Sequence, residues 1–168
     1  MSLKNPKSIP GIPKAREKSI TRLKDNIPRK KEAEIEYLCS VYFKKDTVSN
    51  KQFYCARLTS TRQFTMLNYE ISVKTRRQKK SIDISILGLN TKKEYVTKAG
   101  PAVTELLFKD LYGKFTFNII KQDGSINSAV FDFNIFKKQI VLVKEFLPEK
   151  ENNRRFCDFE IAEDKFSY

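Results

Sequence analysis

The sequence predicts a mostly β (α+β) fold, an antiparallel β-barrel or sandwich of about eight strands with one helix, preceded by a basic extended N-terminal arm. Between residues 35 and 161, apolar residues repeatedly alternate with polar ones, which is the period of a strand with one buried face. The connections between these segments are short and polar, as in all-β domains. Before residue 32 this alternation is absent, and prolines and basic residues dominate.

The N-terminal segment is expected to be a flexible arm that contributes little to the core. It is punctuated by Pro6, Pro10, Gly11, Pro13 and Pro28, and proline blocks helix and strand alike. It holds ten Lys and Arg residues against two acidic ones, in a chain whose net charge is +13. We therefore divide the chain into a basic flexible arm, residues 1–31, and an antiparallel β domain, residues 32–168. The concentrated positive charge suggests an anionic partner.

The first half of the domain predicts two hairpins. Alternation over residues 35–43 indicates a strand, the polar residues 44–51 a turn, and residues 53–58 the returning strand. In the second hairpin, pairing Val73 with Ile82 puts all the apolar side chains of both strands on one face. This pairing makes residues 74–81 a long basic loop.

A helix is predicted next, because Pro101 suits a first helical position and apolar residues follow with helical spacing at Val103, Leu106, Leu107 and Leu111. Gly113 stands where a helix cap is expected.

The last part of the domain predicts a hairpin and two further strands. A three-residue turn, Asp123-Gly124-Ser125, pairs Phe117 with Phe131 and requires a positive φ at Gly124. Strands over residues 139–146 and 156–161 follow, separated by a polar loop at residues 147–153.

Several classes of function are excluded or disfavoured. The chain has no His, which removes Ser-His-Asp and Cys-His catalysis and His-ligated zinc. Its three Cys residues have no CxxC spacing, which indicates small buried thiols in a reducing, cytoplasmic environment. No Gly-rich phosphate loop and no apolar stretch of membrane-spanning length is present. We predict no enzyme, no catalytic residue, no cofactor and no metal; whether the arm is a transit peptide stays open.

The leading functional hypothesis is a non-enzymatic binding or accessory protein. Its basic arm and basic hairpin loop would contact an anionic macromolecule, RNA or DNA in a larger assembly. The residues expected to contact phosphates are Lys30, Lys31, Arg76, Arg77, Lys79 and Lys80. Aromatic residues at strand ends, or opposite the main apolar stripe, could add base contacts: Tyr42, Tyr54, Phe64 and Phe136.

Two alternatives remain open. One is a protein-interaction subunit of a multiprotein complex, with the arm wrapping a partner. The other follows from Asp83, Ser85 and Gly88, whose spacing resembles the DxSxxG motif of PilZ domains, the β-barrel receptors for cyclic di-GMP. That family has a second motif, RxxxR, and the counterpart here is Arg57 and Arg62, with four residues between them rather than three. The resemblance implies a cyclic-di-GMP receptor.

Overall fold

The structure is a computed structural model that describes residues 34–65, 67–92, 98–149 and 153–168. All of them belong to one compact unit, Ala33–Tyr168. The predicted arm, residues 1–31, lies outside the described residues. Within the described ranges, no helix has the length and apolar character needed to cross a membrane. The elements are β1 (Tyr37–Asp46), β2 (Lys51–Phe64), β3 (Tyr69–Arg77), β4 (Ser81–Thr91), β5 (Gly100–Phe108), β6 (Gly113–Ile120), β7 (Ile126–Asn134), β8 (Gln139–Phe146), β9 (Cys157–Ile161) and a short 3-10 helix (Glu163–Lys165).

The strands form two sheets. Sheet A has the order β5-β2-β1-β9, and sheet B has the order β3-β4-β6-β7-β8. The prediction of a mostly β domain is confirmed, but the antiparallel assignment was wrong in part, because β1 pairs with β9, and β4 with β6, in parallel. The second parallel pair arises because the chain leaves sheet B after β4, forms β5 in sheet A, and re-enters sheet B in its former direction. The two sheets do not join into a closed barrel.

One hydrophobic core fills the space between the sheets. Aromatic rings make many of the contacts across it, such as Tyr54 with Phe133, whose ring centroids are 5.6 Å apart. The ring centroids of Phe108 and Phe117 are 6.1 Å apart, and those of Phe131 and Phe159, on β9, are 6.2 Å apart. Burying such rings supplies much of the apolar stabilisation, since each removes a large area from water.

The predicted helix was wrong: residues 100–108 form β5 at the edge of sheet A. Backbone pairing with β2, in which Thr104 lies opposite Leu58, fixes the extended conformation. Ala102 then points into the core, whereas Leu107 faces outward and is 47% exposed. Gly113 has a positive φ, +78°, but it begins a strand rather than capping a helix.

The predicted pairing of Val73 with Ile82 was also wrong. Arg77 lies opposite Ile82, and Val73 lies opposite Ile86. The two strands continue through the basic segment, so the predicted long loop shrinks to a tight turn at residues 78–80. The turn is closed by the Gln78 N–H, which donates to the Ser81 carbonyl oxygen at 2.8 Å.

The β6–β7 hairpin has a three-residue loop, shifted by one residue from the prediction. Lys121 N–H donates to the Ser125 carbonyl at 2.9 Å, so the loop residues are 122–124. Phe117 therefore lies opposite Ala129 and not opposite Phe131, a register displaced by two residues. The positive φ predicted for Gly124 is confirmed, at +84°.

Gly124→Val is expected to lower the free energy of unfolding by roughly 1–3 kcal/mol, because a β-branched residue is strained at positive φ. Chemical denaturation of the two proteins measures the difference. Gly100→Val is the matched control: Gly100 has no positive φ, and no other atom lies within 4 Å of the added Cβ position. Equal losses in both variants would contradict a conformational cause.

Polar side chains link the two sheets at two places: between β3 and β5, and between β7 and the start of β9. At the first place, the Thr104 hydroxyl donates to the Ile71 carbonyl at 2.6 Å and accepts from the Ile71 N–H at 2.8 Å. At the other, the buried side-chain oxygen of Asn127 on β7 accepts from the N–H groups of Phe156 and Cys157 at 2.8 and 2.9 Å. Its amide nitrogen donates to the Arg154 carbonyl at 2.9 Å. Asn127 thus holds the start of β9 in place.

Candidate nucleic-acid interface

Three loops meet at one end of the domain, which we call the basic end: residues 76–80, 109–114 and 135–138. Their meeting follows from the topology of sheet B. Because β4 and β6 run in parallel, with Ser81 opposite Thr116, both strands start at the same end. The antiparallel strand β7 finishes there, so its turn into β8 joins the other two.

The basic end carries a dense positive charge. Residues 76–80, 109–114 and 135–138 contain eight Lys and Arg side chains and one acidic side chain, that of Asp110. All eight cationic residues are exposed. Only four of them, those in the β3–β4 hairpin, were predicted as contacts from the sequence.

Two of the four predicted cations also hold the neighbouring loop. The Arg77 guanidinium donates to the carbonyl oxygens of Lys109 and Asp110 at 2.6 and 3.0 Å. The Lys80 amine donates to the Tyr112 carbonyl at 3.1 Å and lies 4.7 Å from the ring centroid of Phe115. These two side chains therefore have a structural role in addition to their charge.

The other two predicted cations extend freely into solvent. Arg76 lies opposite Asp83 across the β3–β4 pair, and Lys79 is in the turn. Within the described part of the chain, neither side chain belongs to an ion pair. Their charges are therefore available to an anionic ligand.

Two exposed aromatic rings stand among these cations. Phe136 is 86% exposed and Tyr112 is 58% exposed, and their ring centroids are 6.2 Å apart at an interplanar angle of 70°. Of the four aromatic residues predicted to offer base contacts, Phe136 is exposed, Phe64 is half-buried against the core, and Tyr42 and Tyr54 are buried. Tyr54 was assigned to the wrong face, because it lies opposite Phe43 on the core side of sheet A. Tyr112 was missed because it followed directly on the predicted helix.

The remaining predicted residues do not join this site. Lys30 and Lys31 lie outside the described residues. Asp83, of the PilZ-like motif, lies between the buried residues Ile82 and Ile84, so it faces outward from sheet B. Arg57, its suggested counterpart, faces outward from sheet A, because its neighbours Ala56 and Leu58 are buried. Asp83 and Arg57 are therefore on opposite faces of the domain, whereas the second arginine, Arg62, lines a pocket with Leu89, the residue after Gly88.

The thiols have no features of a nucleophile. All three Cys side chains are free and buried. Burial raises the pKa of Cys39 to about 12 and that of Cys55 to about 11, so the reactive thiolate is scarce at neutral pH. Among the described residues, no three Cys, Asp or Glu side chains gather as a metal site would need.

A cleft of about 560 Å³ lies near the opposite end, between β3 and β5. Its lining mixes cations such as Lys92 and Lys98 with the carboxylates of Glu70 and Glu105. Charges of both signs offset one another, so this cleft has no net preference for anions comparable to that of the basic end.

Fold and site together define a mixed two-sheet β protein with a basic, aromatic end. No protein-family model, no curated protein and no solved structure matches the chain. The function is therefore inferred from the chemistry of the basic end.

Proposed function

We propose that this is a non-enzymatic nucleic-acid-binding protein whose basic end contacts the phosphates of RNA or DNA. The observation that carries the proposal is the gathering of eight exposed cations, with a single acidic residue, from three loops distant in sequence. Such cations bind a phosphate backbone by releasing its condensed counterions, and they need no particular base sequence.

The state of the cations supports this choice. Near the opposite end, the amine of Lys121 and the guanidinium of Arg154 both bind Glu36, at 2.6 and 2.5 Å. Their charges are already balanced within the protein. At the basic end, by contrast, none of the eight cations is in an ion pair with a described carboxylate. A surface left with unbalanced charge attracts an anionic macromolecule.

Two further features belong to the proposal. The basic arm, with Lys30 and Lys31, would add phosphate contacts beyond those of the domain and could link the protein to a larger assembly. The three free thiols fit a reducing, intracellular location.

Salt-dependent binding of the full chain to labelled RNA and DNA tests the proposal. In the double variant Arg76→Ala/Lys79→Ala, the slope of log K against log salt is expected to flatten by up to about 2, at ~0.7–0.9 per phosphate contact. The fold should persist, because both side chains are exposed and unpaired. Fluorescence anisotropy over a range of salt concentrations gives both slopes.

Lys92→Ala/Lys98→Ala is the matched control, since it removes the same charge near the opposite end. It should leave the slope almost unchanged. Absence of any binding by the parent protein at low salt would refute the proposed function, and equal flattening in the two double variants would move the contact away from the basic end.

A further inference from the structure

We infer that the basic end selects single-stranded nucleic acid, whose unpaired bases stack on the ring pair Tyr112–Phe136. This inference rests on the proposed function and names its substrate class. It uses the two rings, whereas the proposed function uses only the charge around them, so the two can be tested separately.

The Phe136 ring is presented to solvent by a hydrogen-bonded turn. The Lys138 N–H donates to the Ile135 carbonyl at 3.1 Å, and the Lys137 N–H donates to the Asn134 side-chain oxygen at 3.1 Å. The turn therefore fixes the backbone on both sides of Phe136, while the ring itself is 86% exposed. Its described aromatic partner is Tyr112, so packing against the core does not explain a phenylalanine at this position.

The backbone at Tyr112 is held by its neighbours in the chain and by two cations of the β3–β4 hairpin. The preceding residue, Leu111, is fully buried in the core, and the Tyr112 carbonyl accepts from Lys80 at 3.1 Å. Arg77 holds the two residues before Leu111 through their carbonyl oxygens. The backbone that carries both rings is thus held before any ligand arrives, which reduces the ordering cost of binding.

The arrangement of the rings leaves aromatic surface free for stacking. An edge-to-face pair at 70° covers only part of each ring, which agrees with the exposure of both side chains. Cationic residues that can hold the adjoining phosphates follow Phe136 directly, at Lys137 and Lys138. Unpaired bases can turn a flat face towards such rings, whereas the faces of paired bases are hidden inside the duplex stack.

The test measures anisotropy of labelled oligonucleotides of about 12 nucleotides, within the range of known single-strand sites, as single strands and as duplexes of the same sequence. The parent should bind the single strand more tightly. Phe136→Ala should weaken single-strand binding on the order of 10- to 100-fold, the range expected for one stacked base, with a much smaller change for the duplex. The salt slope should stay the same, because no charge is removed.

Three further variants make the result specific to stacking. Phe136→Tyr should retain single-strand affinity, because it retains the ring, whereas Phe136→Leu should lose it as Phe136→Ala does. Leu147→Ala, a truncation of another exposed apolar side chain, at 63% exposure, should have no effect. Thermal melts of all variants should agree with the parent, since the ring lies outside the core.

The outcomes separate the two proposals. Equal affinity for single strand and duplex, with no effect of Phe136→Ala, would overturn the inference and leave the proposed function standing. Full affinity in Phe136→Leu would also overturn it, because an aliphatic side chain has no stacking face. Absence of binding to either form would overturn both, and binding of the basic end to an acidic protein instead would redirect the search to protein partners.

Discussion

Replacing Asn127 by Ala is expected to lower the free energy of unfolding by about 3–5 kcal/mol. The Asn127 side chain is 2% exposed and satisfies two backbone N–H groups, those of Phe156 and Cys157, and the carbonyl of Arg154. Alanine leaves these groups without their partner in the interior, where each unsatisfied group costs about 1–3 kcal/mol. The loss should be accompanied by loosening of β9, which hydrogen exchange at the Cys157 amide would report.

Ser128→Ala is the matched control for this prediction. Ser128 is the next residue of β7, and its hydroxyl donates to the Asn118 side-chain oxygen at 2.6 Å, on the outer face of sheet B. Its removal should cost only about 0.5–1.5 kcal/mol, as for an ordinary hydrogen bond. Similar losses in the two variants, measured by chemical denaturation, would show that Asn127 does not hold β9.

Replacing Arg76, Lys79, Lys137 and Lys138 together by Ala should weaken nucleic-acid binding on the order of 100- to 1000-fold at ~0.1 M salt. The salt slope should flatten by roughly 3, for four lost phosphate contacts at ~0.7–0.9 each. These four cations come from two of the three loops, and all are exposed. Arg77 and Lys80 are kept, because they hold residues 109–112 and their loss would disturb the fold of the site.

The two component pairs show whether the loops act as one surface. If one strand of nucleic acid crosses both loops, Arg76→Ala/Lys79→Ala and Lys137→Ala/Lys138→Ala should each remove about half of the slope change. Thermal melts control for unfolding. A quadruple variant no weaker than the Arg76/Lys79 double variant would exclude the β7–β8 turn from the contact.

The sequence predicts the strands better than it predicts their partners. Alternation identified the segments that become β4, β6 and β7, because in each of them buried residues alternate with less buried ones. It failed at β5, an edge strand with apolar residues on both faces: Leu106 packs against the core, and Val103 and Leu107 face outward. Their spacing matches a helical stripe, and only the pairing with β2 distinguishes the two.

Both register errors have the same physical origin. The β6–β7 register differs from the prediction by two residues, and the β3–β4 register near the turn differs by four. An even shift leaves every inward side chain pointing inward, so burial of the apolar face cannot decide between such registers. The turn decides, and the turn at residues 78–80 consists of polar residues without a Gly signal.

The sequence predicted one part of the candidate site, the cations of the β3–β4 hairpin, but not the other two loops. Four cations in one hairpin are visible in the sequence, whereas the approach of residues 109–114 and 135–138 depends on the parallel pair β4–β6, which no local pattern reveals. A signal for Asn127 was present, because it continues the inward alternation of Ala129 and Phe131. A polar residue at such a position marks a buried hydrogen-bonding role.

The parallel pair β1–β9 has a consequence for synthesis of the chain. It joins residues 37–41 to residues 157–161, so sheet A is incomplete until residue 161 has been translated. At about 5–20 residues per second, β1 waits on the order of 10 s for this neighbour. During that time one edge of β1 presents unpaired backbone groups, to which another nascent chain could attach. Chaperones that cover such an edge should therefore improve the yield of native protein.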